Sequence, residues 1–351
     1  MPDRPSADAP GRLAFADGLR GLAALWVLLF HLSTGRHLDA LIAALPAGAD
    51  RVAFTWGHGG VAVFFVLSGC VLALTVEHTL LDAAGAGRFV LRRLLRLAPP
   101  YYAALLVAVA LGVVKGERFG AWQLVAHGLF VQTLADVPPV GIVFWTLSIE
   151  MQFYVAFALL TWLADALGGA RTITRRLVAV LALAWPLGWL ATPSPATGFL
   201  PFWAHFMAGV LARDAMRGDL ADKAFAIAFA GALLACSVAR DDLFSGIAGA
   251  TALALLAAHA AGGLHAWLSG RAAQALGRVS YSLYLMHVPT ITLAAAVLRR
   301  LPPHAGVAGE LVDAAIVVAA CVAVAGVFWR AIERPGIRWS HRLSLTSAAS
   351  A

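Results

Sequence analysis

The chain has 351 residues, of which 61% are hydrophobic and only 13% charged, with a mean hydropathy of +0.80. A water-soluble domain carries roughly 25% charged residues, so this composition excludes water as the main solvent and indicates a polytopic membrane protein. The net charge of +7 is therefore read as membrane topology before any nucleic-acid footprint is considered, and no nucleic-acid partner is expected.

In chain order, residues 1–13 form a polar leader. Arg20 then opens the first apolar run without a small-residue cleavage site behind it, so the run reads as a retained span. Apolar runs long enough to cross fall at about 14–33, 57–76, 97–114, 145–164, 176–192, 198–212, 223–239, 243–263, 273–298 and 308–329. The sequence thus predicts an all-α transmembrane bundle of about ten spans. Several runs are shorter than the ~20 residues of a straight crossing, which implies tilted or discontinuous helices. An eleventh run, 121–135, is apolar but broken by Gln123, His127 and Gln132.

Charge placement decides that run. With ten spans and a cytoplasmic N-terminus, 19 lysines and arginines face inside and seven outside. If 121–135 also crossed, inside would keep 10 and outside would take 16. The positive-inside rule favours the first arrangement, so 121–135 is expected to enter without crossing or to lie on the outer surface. Both termini are then cytoplasmic. One membrane domain, 14–335, is expected between tails 1–13 and 336–351, with no appended soluble domain. Cys70, Cys236 and Cys321 all lie in apolar runs and offer neither a disulfide framework nor a metal spacing.

Four polar constellations interrupt this background. The first is Asp17 and Arg20 followed by His31, with nothing strongly polar between Arg20 and His31. On a helix the eleven-residue step is ~16 Å, about half of a hydrocarbon core of ~30 Å. Ionisable groups at such depth mark pathways or reaction centres; Arg20 as a topology anchor and His31 as an interfacial residue is the plainer alternative. The second is the run Arg92-Arg93-Leu94-Leu95-Arg96 ahead of Pro99-Pro100. Arg93 and Arg96 share one helix face, and guanidinium forks suit phosphate, although cytoplasmic segments collect arginine anyway. The third is Trp145-Thr146-Leu147-Ser148-Ile149-Glu150-Met151-Gln152-Phe153-Tyr154, and the fourth Ser280-Tyr281-Ser282-Leu283-Tyr284-Leu285-Met286-His287. Glu150 reads either as a carboxylate beside the imidazole of His31 or as a first-turn acid on its helix. His287 reads either as a substrate contact or as a packing histidine. Phe64-Phe65-Val66-Leu67-Ser68-Gly69 marks close helix approach by small residues.

In this order the four constellations, with Phe64–Gly69, closely resemble the integral-membrane acyltransferase-3 family, from Leu13 to about Pro335. The resemblance implies an O-acyltransferase of a bacterial-type inner membrane that moves an acyl group, commonly acetyl, from acyl-CoA to a hydroxyl of a carbohydrate or glycan precursor. No tightly bound cofactor or metal is implied, acyl-CoA being a co-substrate. It further implies that Arg20, Arg93 and Arg96 hold the CoA phosphates, that His31 is the general base with Glu150 orienting it, and that Trp145, Ser148, Tyr154 and His287 contact substrate. Met151 stands where many members carry a second acidic residue, so position 151 is not expected to act in catalysis. Acyl transfer to a small secondary metabolite shares every one of these motifs. A transporter or flippase would also place ionisable groups in the membrane, but its usual paired halves do not stand out.

Overall fold

The computed structural model describes residues 13–77, 81–190, 198–301 and 306–342. Most of the expected tails, residues 1–12 and 343–351, therefore lies outside the described residues, as do the ends of two apolar runs, 191–192 and residues 302–305. Among the described residues the regular structure is all helical. In chain order α1 is Ala14–Thr34, α2 Asp39–Ala44, α3 Ala49–Ala53, α4 Gly60–Val76, α5 Ala83–Val114, α6 Ala121–Gly128 and α7 Phe144–Ala166. There follow α8 Arg171–Ala182, α9 Trp203–Arg217, α10 Leu220–Arg240, α11 Leu243–Ala260, α12 Arg271–Leu298, α13 Gly306–Phe328 and α14 Arg334–His341.

Eight helical segments are long and apolar enough to cross a membrane: α1, α3–α4, α5, α7, α10, α11, α12 and α13–α14. This is a multi-pass membrane protein. Two of the ten expected spans are shorter. The 176–192 run holds α8 with 12 residues and the 198–212 run holds α9 with 15, about 18 and 22 Å of helix. The ambiguous 121–135 run contains only the eight residues of α6, about 12 Å, too short to cross. Beyond α6 the chain reverses through Phe130 at φ +59°. It is pinned back on α7: Ser148 donates to the Phe130 carbonyl at 2.6 Å and Gln132 to that of Phe144 at 3.0 Å.

Membrane helices gain little from the hydrophobic effect against each other, so close backbone approach decides which of them pair. Helices α4 and α9 meet at two glycines. A Cβ on Gly69 would lie 2.9 Å from the carbonyl carbon of Phe206, and one on Gly209 would lie 2.7 Å from that of Val66. Ser68-Gly69 thus marks the close approach that the sequence implied. Helices α1 and α12 meet in the same way, a Cβ on Gly21 coming 2.7 Å from the backbone nitrogen of Gly277. These contacts carry the first and fourth polar constellations together.

The arginine cluster is not in a loop. Helix α5 is 32 residues long, so the expected 97–114 span is only its second half, and Arg88 to Arg96 lie on its first half. Pro99 and Pro100 inside α5 lack N–H groups, which frees the carbonyls of Leu95 and Arg96. Gly336 of α14 packs there, its Cα side 3.1 Å from the Leu95 oxygen as judged by an added Cβ. The start of the expected 336–351 tail is therefore an ordered helix held on α5, because a residue without a side chain can approach the kink. A π-helical turn, Trp329–Glu333, joins α13 to α14. At the same end of the bundle, Arg213 meets Glu77 at 2.6 Å and Arg175 meets Asp214 at 2.5 Å, while Arg217 and Arg171 pair with Glu77 and Asp165. All three cysteines are free and buried.

Candidate functional site

Helices α1, α4, α5, α7, α12 and the α13–α14 segment enclose a cavity of about 610 Å³. That volume lies in the range of small-molecule sites, ~300–1,000 Å³. Its lining brings together Arg20, Arg93, Arg96, Glu150 and Tyr154, five side chains singled out by sequence. Three arginines reach one cavity because α1 carries Arg20 on its first turns while Arg93 and Arg96 project from one face of α5.

Their surroundings differ. Arg20 stands 3.8 Å from Asp17 on its own helix. Arg93 is 9% exposed, donates to the Thr75 hydroxyl at 2.6 Å, and lies over the rings of Phe89 and Tyr154 at 5.5 and 5.7 Å. A delocalised guanidinium tolerates such burial better than an ammonium does. Arg96 faces the cavity and makes no ion pair or side-chain hydrogen bond with the described residues. Arg278 adds a fourth guanidinium to the lining, against the carboxylates of Asp17, Glu150 and Glu333.

Glu150 accepts the Ser68 hydroxyl at 2.5 Å and the phenol of Tyr154, so its carboxylate joins α4 to α7. It does not reach His31. Glu150 is six residues into α7, ~9 Å along its axis, whereas His31 is three residues from the end of α1, ~4.5 Å. The two lie at different depths, and the expectation that Glu150 orients the imidazole is corrected accordingly. His31 instead stands against His287, ring centroids 5.0 Å apart, and against Phe30 at 4.9 Å.

Tyr284 separates this histidine pair from the cavity. It lines the cavity, its ring is 5.8 Å from that of His287, and its hydroxyl is 2.8 Å from that of Thr146. Trp145 and Ser148 are not on the lining. Trp145 packs on Phe202 at 5.5 Å, and Ser148 is fully buried, holding the 129–143 segment through Phe130 and Thr133.

Sequence reasoning passed over Glu333. It is 4% exposed, accepts the Ser282 hydroxyl at 2.5 Å, and faces the cavity from the π-helical turn. A π turn is often found at functional sites, but its place is not written in composition. Ser282 within the fourth constellation was the available signal.

A family model described as an acyltransferase domain matches residues 13–330. The chain belongs to the acyltransferase-3 family. Its relatives include a protein of Listeria monocytogenes serovar 1/2a named peptidoglycan O-acetyltransferase OatA, 25% identical over 369 aligned positions. That match covers 91% of this chain and 55% of the relative. A Caenorhabditis elegans protein named regulator of hypoxia-inducible factor 1 is 27% identical over 169 positions, covering 41% of this chain and 33% of the relative. The chain thus spans about half the length of the first relative and a third of the second. No solved structure matches it. Membership in the acyltransferase-3 family fixes the domain type and its membrane setting, and the polar lining described above is where its chemistry is to be sought.

Proposed function

We propose that this acyltransferase-3 protein of a bacterial-type inner membrane transfers an acyl group, acetyl in the first instance, from cytoplasmic acyl-CoA to a hydroxyl of a carbohydrate or glycan precursor. The observation that carries the reading is the single cavity on which Arg20, Arg93 and Arg96 converge. Guanidinium forks are the preferred partners of phosphate, and CoA is a polyphosphate donor with a long apolar arm. The remaining lining, from Val61 and Phe65 to Phe64 and Tyr284, suits that arm. The relative named as a peptidoglycan O-acetyltransferase supports the carbohydrate acceptor.

In this mechanism the CoA phosphates sit on the arginines and the thioester lies at the Tyr284 end of the cavity. An acceptor hydroxyl gives its proton to a ring nitrogen of His31, and its oxygen attacks the thioester carbonyl. The carbon–sulfur bond breaks, the new ester keeps the acyl group, and CoA leaves as a thiolate that takes up a proton. Glu150 works on the donor side, where it holds Ser68 and Tyr154 in the cavity wall.

The test is transfer from labelled acetyl-CoA by purified protein. His31→Ala removes a costly polar group from a membrane helix and should insert normally. Transfer should fall about 10²–10⁴-fold, the usual worth of positioned proton transfer. His31→Gln, which cannot take the proton, should be nearly as damaged. Wild-type transfer by His31→Ala places the base elsewhere. Offering glycan fragments and small hydroxylated metabolites in parallel separates the carbohydrate acceptor from its alternative.

A further inference from the structure

We propose that His287 is the positioning residue for His31, the two imidazoles forming a hydrogen-bonded dyad that begins at a backbone carbonyl of α12. The inference rests on the reading of His31 as the base and assigns the group that fixes its tautomer.

The argument starts from the direction of one hydrogen bond. Nδ1 of His287 is 2.7 Å from the Tyr284 carbonyl oxygen and 3.2 Å from that of Leu283. Carbonyl oxygens only accept, so Nδ1 carries the proton and Nε2 of the neutral ring carries a lone pair. That Nε2 is buried and has no hydrogen-bond partner among the described residues, in a side chain that is 1% exposed. A buried acceptor without a donor is the exception in proteins and calls for an explanation.

The donor is at hand. The imidazole of His31 lies 5.0 Å away between ring centroids, tilted by 40°. His58 does not compete, because Phe30 stands between, 4.9 Å from the His31 ring and 5.1 Å from that of His58. His58 is moreover engaged through Nδ1 with the Thr55 carbonyl at 2.7 Å. If one N–H of His31 turns to Nε2 of His287, the other His31 nitrogen is left as a lone pair facing away from α12. That nitrogen is the one able to take a proton from an acceptor hydroxyl. As His31 becomes an imidazolium, its inward N–H bond to His287 strengthens, and the charge is spread toward the carbonyls of Tyr284 and Leu283. No further group has to gain or lose a proton. A carboxylate fills this place in other base pairs; here a neutral ring backed by α12 does so, while Glu150 serves the other side of the cavity.

The experiment compares His287→Leu with His287→Gln in the full-length purified protein, measuring expression, thermal stability, and kcat and KM for acetyl-CoA and for an acceptor. Leucine removes the acceptor atom and suits the apolar surroundings; the glutamine amide oxygen can replace Nε2 as acceptor. We expect His287→Leu to fold and to lose roughly 10²–10³ in kcat with both KM values little changed, and His287→Gln to recover at least about tenfold of that loss. Equal activity of the two variants, or leucine better than glutamine, overturns the dyad. Nitrogen-15 spectra of histidine-labelled protein supply a readout apart from activity. His287 should appear as the Nδ1-protonated tautomer, with its Nε2 signal shifting in His31→Ala. A protonated Nε2, or a signal indifferent to His31, overturns it equally. An active His31→Ala defeats the base assignment itself; an inactive His31→Ala beside a fully active His287→Leu defeats only the pairing.

Discussion

Glu150 accepts the hydroxyl of Ser68 at 2.5 Å and with it ties the motif helix α7 to α4 inside the cavity. The same carboxylate takes the phenol of Tyr154, over whose ring the Arg93 guanidinium lies at 5.7 Å. A carboxylate, a hydroxyl, a phenol and a cation therefore share one wall, one helical layer away from the histidine pair.

This separation predicts how two losses combine. Glu150→Gln keeps an acceptor for Ser68 and should fold, but it removes a negative charge from a cavity holding four arginines. We expect impaired transfer, with a changed KM for acyl-CoA. In the His31→Ala, Glu150→Gln double variant the effects should multiply, because sites without shared partners act independently. Residues acting as one unit would instead show a double loss close to the larger single loss. Steady-state kinetics of the four proteins decide between the two.

Lysine at the arginine positions should separate two kinds of damage. Arg96 has no protein partner to lose, so Arg96→Lys should leave thermal stability unchanged and raise the KM for acyl-CoA, since the fork is gone. Arg93→Lys should do the same and also lower the melting temperature, because the stacking on Phe89 and Tyr154 is lost, a contact worth ~0.5–2 kcal/mol. Wild-type donor dependence in both would make these arginines topology anchors only.

The glycine contacts offer a test of the fold free of catalysis. Gly69→Val should push α4 away from α9, since the added carbon meets backbone and not a yielding side chain. Overpacking of this kind costs about 1–3 kcal/mol. Gly231, against whose added Cβ nothing lies within 4 Å, is the control: Gly231→Ala should be neutral or slightly stabilising. Thermal unfolding in detergent measures both.

Reporter fusions check the topology. Fusions after Arg118 and after Ala135 should report the same, outer side, because the eight-residue α6 between them cannot cross; a fusion near Arg175 should report the inner side. Opposite signals at the first two positions would require a crossing that the helix lengths do not provide.

Much of this was legible before any coordinates. The depth step from Arg20 to His31, the shared face of Arg93 and Arg96, and the close approach at Ser68-Gly69 follow from helix periodicity and side-chain chemistry. What could not be read is depth across different helices. Glu150 and His31 each lie in a recognisable motif, but their relative height depends on where α7 begins, and that is set by the 129–143 segment folding back on Phe130 and Ser148. Trp145 and Ser148 show the same limit: residues of one motif point to different neighbours around the helix, some to the cavity and some to packing. Glu333 was hidden for another reason. It sits among Arg330, Arg334 and Arg338, where the sequence looks like an ordinary basic membrane exit.

The π turn at Trp329–Glu333 holds one residue more than an α-helical path would need. Everything after it, including Gly336 at the α5 kink and Ile337 and His341 on the cavity lining, is phased by that single surplus residue. Removing one residue from the turn would restore regular winding, rotate α14 by roughly 100° and draw it back ~1.5 Å. Gly336 would leave the freed carbonyls of Leu95 and Arg96, and a bulkier neighbour would take its place. The last wall of the cavity is thus indexed by a count of residues, and tolerates substitution far better than deletion.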